Sequence, residues 1–132
     1  MSTVPPLKIE PPKSLHFKRN RHKTDVQDMA ITNPCTKRKI AFKLKISNAE
    51  LYSTDPMVGF LLPHETRVFN VVRAACRRSD AEKQEQILIM YVPVDPEESN
   101  AKKVWANLQE DPLRRRIDLI TEMRSDSQNR SE

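Results

Sequence analysis

The sequence predicts an all-β fold, two stacked sheets of about seven short strands with one short helix. Three observations carry that prediction. Apolar residues recur at every second position, as in Ile40, Phe42, Leu44 and Ile46, and that period places them on one face of a strand. Turn residues interrupt the runs, drawn from ten prolines and from Asn, Asp and Ser, with a single glycine. Only one segment, after Val94, changes to the helical period. The 132 residues suffice for one compact domain, and short strands spaced by turns in such a chain form a β-sandwich.

Leu7, Ile9, Leu15 and Phe17 bracket Pro11-Pro12 and predict two extended pieces separated by a bend. Lys18 to Lys23 (KRNRHK) is polar throughout and reads as a solvated loop. Gln27, Met29 and Ile31 alternate with Asp28 and Ala30, giving a strand that Asn33-Pro34 ends, since proline lacks the ladder donor. Ile40 to Ser47 is the clearest strand. Its opposite face carries Lys39, Ala41, Lys43, Lys45 and Ser47. Leu51 to Phe60 reads as extended chain broken at Asp55-Pro56 and Gly59. Thr66–Ala75 and Glu85–Val92 predict two more strands, the second apolar on both faces like a central strand. Asp95-Pro96-Glu97-Glu98 then offers an N-cap, a proline at the first helical position and acids at the positive helix end. Ala101, Val104, Trp105 and Leu108 continue at helical spacing for about three turns. Ile117, Leu119 and Thr121 close the sandwich, with Arg114-Arg115-Arg116 as a solvated turn before them. The domain is expected over residues 7–123, after a flexible N-terminus at 1–6 and before a disordered tail at 124–132 that holds nothing apolar.

Composition excludes several functions. One glycine cannot build a phosphate-binding loop or a nucleophile elbow. His16, His22 and His64 share no metal-ligand spacing with Cys35 or Cys76, so no metal or other cofactor is expected. No Ser, His and Asp fall in a triad order with a strained turn, and no catalysis is expected. The longest apolar run, Ile87 to Val92, is far short of the roughly 20 residues that span a bilayer. The N-terminus MSTVPPLKIEPP lacks the apolar core of an export signal, and two cysteines fit reduced thiols in the cytoplasm. Charge is uneven: eleven Lys/Arg against three Asp/Glu up to Lys45, then twelve against fifteen. That division favours acidic partners or another copy of the chain. Nucleic acid is a poor fit, because Phe17 alone interleaves the basic runs with an aromatic ring.

Five stretches, in order, resemble the major sperm protein domain family. That family includes the cytoskeletal protein of amoeboid sperm and the cytosolic domain of the vesicle-associated-membrane-protein-associated proteins. LKIEPPKSLHF has the family's opening L-x-(I/L)-x-P-x-x-x-L-x-F spacing. TNPCTKRKIAFKLKIS resembles its N-P turn and F-K-x-K-x strand. Tyr52, Pro56 and Gly59 match Y-x-x-x-P-x-x-G, GFLLPHE is similar to the sperm protein, and Lys103-Val104-Trp105 is similar to the helix of the membrane-anchored branch. The resemblance runs from about Leu7 to Ile120. It implies an immunoglobulin-like seven-stranded β-sandwich, no catalysis, and function by protein–protein interaction. Some members form homodimers and filaments; others capture acidic peptides containing two phenylalanines. Carried over by position, the peptide-contacting lysines are Lys43 and Lys45, and the threonine pair falls on Ile46 and Ser47. A further lysine and methionine fall on Gln84 and Gln86, which removes a charge and an apolar contact.

The expected partner site is therefore Lys39, Lys43, Lys45 and Ser47, with Leu51 or Tyr52 of the SNAELYS loop as the apolar anchor. Exposed lysine–carboxylate pairs contribute only about 0–1 kcal/mol each, so cations alone cannot hold a partner. Trp105 is expected in the core. The favoured function is a self-associating cytoskeletal component of the sperm-protein type, cytoplasmic and free of membrane anchors. The alternative is an adaptor for acidic linear motifs.

Overall fold

A computed structural model describes residues 5–18, 22–75 and 85–122. The expected tail at 124–132, most of the N-terminal leader, the centre of the KRNRHK run, Cys76 and Gln84 lie outside the described residues. The strands are β1 (Lys8–Glu10), β2 (Ser14–Lys18), β3 (Asp25–Thr32), β4 (Lys39–Ile46), β5 (Tyr52–Ser53), β6 (Val58–Leu61), β7 (Thr66–Arg73), β8 (Glu85–Val94) and β9 (Leu113–Glu122), with helix α1 (Ala101–Ala106) between the last two.

Two sheets stack face to face. One has the order β1-β3-β7-β5, the other β2-β9-β8-β4-β6. Every pairing is antiparallel except β2 with β9. The described strands are nine segments of the seven expected, because prolines divide two runs. At Pro11-Pro12 the chain leaves the four-stranded sheet as β1 and enters the five-stranded sheet as β2. At Asp55-Pro56 it crosses the same way from β5 to β6. A proline suits such a corner, since no ladder hydrogen bond is needed from its nitrogen.

The core lies between the sheets and takes the apolar set of each alternation. Ile40, Phe42 and Leu44 of β4 meet Met29 and Ile31 of β3 and Phe69 and Val71 of β7, all at most 2% exposed. Phe42 packs edge-on against Phe69 at 5.5 Å between ring centres, and Phe17 against Tyr52 at 5.2 Å. Gly59 stands directly opposite Phe42 on β6. A Cβ there would lie 2.9 Å from the Phe42 ring, so the one glycine stands where that ring approaches the backbone closely.

The N-P turn is tied by a buried side chain. Asn33 Nδ2 donates towards the carbonyls of Arg38, Leu61 and Leu62 at 2.8, 3.1 and 3.2 Å, and Oδ1 accepts from the Cys35 amide at 3.0 Å. Its backbone bonds Glu65 and His64. One residue thus locks the β3–β4 turn to the β6–β7 turn. Cys35 beside it is a buried free thiol.

Three expectations need correction. The helix is six residues, not three turns, and its cap is Asn100, whose side chain accepts from the Lys103 amide at 3.1 Å. Asp95 to Glu98 forms a turn instead, with Glu98 N bonded to Asp95 O. The arginine triplet is part of β9 rather than a turn before it. Trp105 is half-buried on top of the five-stranded sheet, outside the core, where its indole N–H donates to Phe42 O at 3.2 Å.

Candidate functional site

Alternation along β4 sends Lys39, Ala41, Lys43 and Lys45 to the outer face of the five-stranded sheet, but the face is not uniform. Lys39 pairs across the ladder with Val94, where β8 ends and the chain turns back over the sheet. That lead-in to α1 covers the first half of β4. Lys39 is only 9% exposed. Its Nζ donates to the carbonyls of Pro96 and Glu98 and sits 4.3 Å from the Phe60 ring centre. Ala41 and Val92, next along the face, are buried as well. Lys39 is thus a structural clamp, and its expected place in an open lysine row is corrected.

Leu51 and Tyr52 are corrected for a similar reason. Their loop folds inward, leaving Leu51 8% and Tyr52 0% exposed. The Tyr52 hydroxyl bonds Thr121 Oγ1 at 3.0 Å, tying the two sheets at one end. Neither side chain is available as an anchor. Ser47 is exposed, but its hydroxyl is engaged: it donates to Glu85 Oε1 at 2.6 Å and accepts from the Gln86 amide at 2.9 Å.

Beyond the lid the outer face opens. Register places Lys43 opposite Met90 and Lys45 opposite Leu88 on β8. On the other side of β8, Met90 faces Arg114 and Leu88 faces Arg116. Residues directly opposite in an antiparallel ladder share a face, so all six side chains belong to the outer surface. Lys43 and Leu88 are half-buried and Met90 is only 9% exposed, while Lys45, Arg114 and Arg116 are exposed. Arg115 has the opposite parity, and its Nη1 donates to Leu7 O at 2.7 Å. The result is two short cationic rows, on β4 and β9, flanking an apolar strip on β8.

An acidic end bounds this patch. Asp118 lies two residues beyond Arg116 and holds its guanidinium at 3.3 Å, and Gln86 stands opposite Asp118. Glu85 closes the same end through Ser47 and Asn48. The structure therefore brings Lys43, Lys45 and Ser47 together and leaves out Lys39, Leu51 and Tyr52. On the same surface stand Arg114, Arg116 and half-buried Leu88. Alternation from Arg114 to Ile120 carried that signal, obscured because Arg115 occupies an inward position.

The other sheet presents a different surface. Val26, Ala30, Val68 and Val72 share its outer face with Lys8, Glu10, Asp28, Thr32, Thr66 and Asn70, and Val26 is 47% and Val68 56% exposed. Asp28, a charge on that surface, accepts from Asn70 Nδ2 at 2.5 Å. Among the described residues no cluster of His, Cys, Asp and Glu could hold a metal ion, and no helix is long and apolar enough to cross a membrane.

Comparison with known proteins agrees with this architecture. The family model for the MSP (major sperm protein) domain matches residues 6–111. WR4, an MSP family member of C. elegans, is 23% identical with a TM-score of 0.68, over 88% of this chain and 97% of that one. SSP-19, an MSP-domain-protein-like family member of Caenorhabditis elegans, is 18% identical with a TM-score of 0.71, over 87% and 98%. The PapD-like domain 7 of human CEP192 is 13% identical with a TM-score of 0.62, over 92% and 90%. At such identities the likeness to solved structures establishes the fold. No curated protein sequence matches the chain.

Proposed function

The chain belongs to the major sperm protein domain family, and from that premise we propose that it binds acidic polypeptide through the outer face of its five-stranded sheet. The family consists of non-enzymatic domains that act by protein interaction, so the question is which surface this member uses. One observation carries the reading: Lys43 and Lys45 on one side and Arg114 and Arg116 on the other flank the half-buried Leu88. The arginines, one and two rows away from Gln86, add charge to a face that lacks the further lysine and methionine of the peptide-binding branch.

Magnitudes show why both components are needed. Four exposed ion pairs contribute about 0.2–1 kcal/mol each. Micromolar binding requires about 8 kcal/mol, so burial of apolar ligand side chains on the β8 strip must supply most of it. The test is a titration with acidic peptides carrying apolar residues, the two-phenylalanine type among them. Wild-type domain is compared with a Lys43→Glu, Lys45→Glu variant. Binding that weakens at least tenfold in the variant, and falls with added salt, supports the reading. Equal affinity for both proteins removes it.

Self-association as a cytoskeletal component is the second reading. It is favoured by the outer face of the four-stranded sheet, where exposed Val26 and Val68 could meet the same face of another copy. Sedimentation across a concentration series at low salt decides it, and a strictly monomeric species counts against it. Both readings place the protein in the cytoplasm, the second on the cytoskeleton.

A further inference from the structure

The connection from β8 through α1 to β9 carries a second surface, opposite in sign to the lysine and arginine strip. Between Asp95 and Asp111 stand five acids and two lysines, a net charge of −3 on a chain of +5. This connection frames an open cleft of about 630 Å³. Val94, Val104 and Leu108, all half-buried, supply its apolar lining, and Asp95, Glu98 and Glu110 its acidic lining. Lys103 is the single cation that lines it. Among the described residues no ion pair reaches Asp95, Glu98 or Glu110, although the chain has 23 lysines and arginines. The Glu98 carboxylate accepts a hydrogen bond from the Asn100 amide at 3.3 Å.

The frame of the cleft is tied down on both sides. Lys39 holds the Pro96 and Glu98 carbonyls of the lead-in. The Trp105 indole fastens α1 to Phe42 O at 3.2 Å, and the Asn107 amide closes the helix on Lys103 O at 3.1 Å. A ligand entering here needs little ordering of the protein, which favours uptake.

We propose that this cleft docks a basic segment of another protein, through an arginine whose alkyl stem lies on Val94, Val104 and Leu108. An arginine is apolar along its stem and cationic at its head, so one side chain meets both kinds of lining. Its planar guanidinium presents several donors in a fixed fork and suits carboxylates that have no cation of their own. Exposed ion pairs contribute little singly, so stem and head must act together. Acidic segments are repelled by the three carboxylates, as basic ones are by Lys43, Lys45, Arg114 and Arg116. The domain thus presents two docking surfaces of opposite charge. The second goes beyond the acidic-partner reading and does not depend on it.

The probe is the capped peptide Ser-Arg-Leu-Arg-Ser, with a citrulline analogue that keeps the stems and loses the charge. Trp105, the single tryptophan, adjoins Val104 and reports uptake by its fluorescence, and amide chemical shifts locate the contact. Full-length wild type is compared with three variants: Glu98→Gln with Glu110→Gln, Leu108→Ser, and Lys43→Glu with Lys45→Glu. Each is checked by thermal melting. Removing two carboxylates, or substituting citrulline, should weaken binding about five- to tenfold. Leu108→Ser should weaken it too, whereas the lysine variant should not. Shifts should gather on Val94, Val104 and Leu108. An acidic peptide should show the reverse pattern, sensitive to the lysines and indifferent to Glu98 and Glu110, so each surface stands or falls alone. Absence of binding, equal affinity in the glutamine variant, or shifts away from α1 would overturn the proposal. Sedimentation showing a dimer that the glutamine variant dissolves, with no peptide uptake, would overturn it by assigning the cleft to a second copy.

Discussion

Replacing Lys39 with methionine keeps the length of the side chain and removes its ammonium group. Two charge-assisted hydrogen bonds to the Pro96 and Glu98 carbonyls are lost, along with the contact over Phe60. Hydrogen bonds to charged groups contribute about 1.5–3 kcal/mol each, and a cation over an aromatic face about 0.5–1 kcal/mol. Methionine has no charge to desolvate and packs on the same ring, which offsets part of the loss. The expected net cost is about 2–4 kcal/mol. For 132 residues the unfolding entropy is about 0.28 kcal/mol/K, so the melting temperature should fall by about 7–14 °C. Lys43→Met, on the open part of the same face, should stay within about 0.5 kcal/mol of wild type. Circular dichroism melts of both variants, run beside peptide titrations, give the comparison. Lys39→Met should lose stability and Lys43→Met should lose affinity. Unchanged melting of Lys39→Met, with affinity lost as in Lys43→Met, would refute the clamp.

Three further substitutions probe the framework. Gly59→Ala forces the Phe42 ring away from a contact of 2.9 Å and, with that ring held against Phe69, should cost about 1–3 kcal/mol in urea unfolding. Asn33→Ala strips partners from the Cys35 amide and the Leu61 carbonyl and should cost about 2–4 kcal/mol; Asn33→Asp, which retains only the acceptor, should not restore it. Arg73 is 1% exposed, and its Nε and Nη2 have no hydrogen-bond partner among the described residues. Arg73→Met should therefore raise stability by about 1–3 kcal/mol, and a fall in the urea midpoint would show that the guanidinium is satisfied.

Strand positions were legible because one face of each strand must be apolar, and β3, β4 and β7 keep that rule along their buried halves. The helix was misplaced because Asp95-Pro96 carries the local chemistry of a helix start. A long-range contact overrides it, since the Lys39 ammonium takes the carbonyls of Pro96 and Glu98 and holds that segment as a turn. No window of sequence around residue 95 contains residue 39. The site was half legible for a related reason. Alternation showed that Lys39, Lys43 and Lys45 share a face, but not that the lead-in to α1 covers the first of them. Leu51 and Tyr52 sit among polar neighbours that suggested an open loop, whereas pairing of Tyr52 with Arg73 draws the chain inward. Arg114 and Arg116 join Lys43 and Lys45 on one surface only through the β8–β9 register, which no single strand contains.

The central claim is that partners meet this domain on the outer face of the five-stranded sheet, on the strip between β4 and β9. Amide chemical shifts followed during titration with an acidic, leucine-containing peptide report the contact surface directly. Shifts should concentrate on Lys43, Lys45, Leu88, Met90, Arg114 and Arg116 and fade at high salt. Shifts gathered instead on Val26, Ala30, Val68 and Val72 of the opposite sheet, or none at saturating peptide, would contradict it.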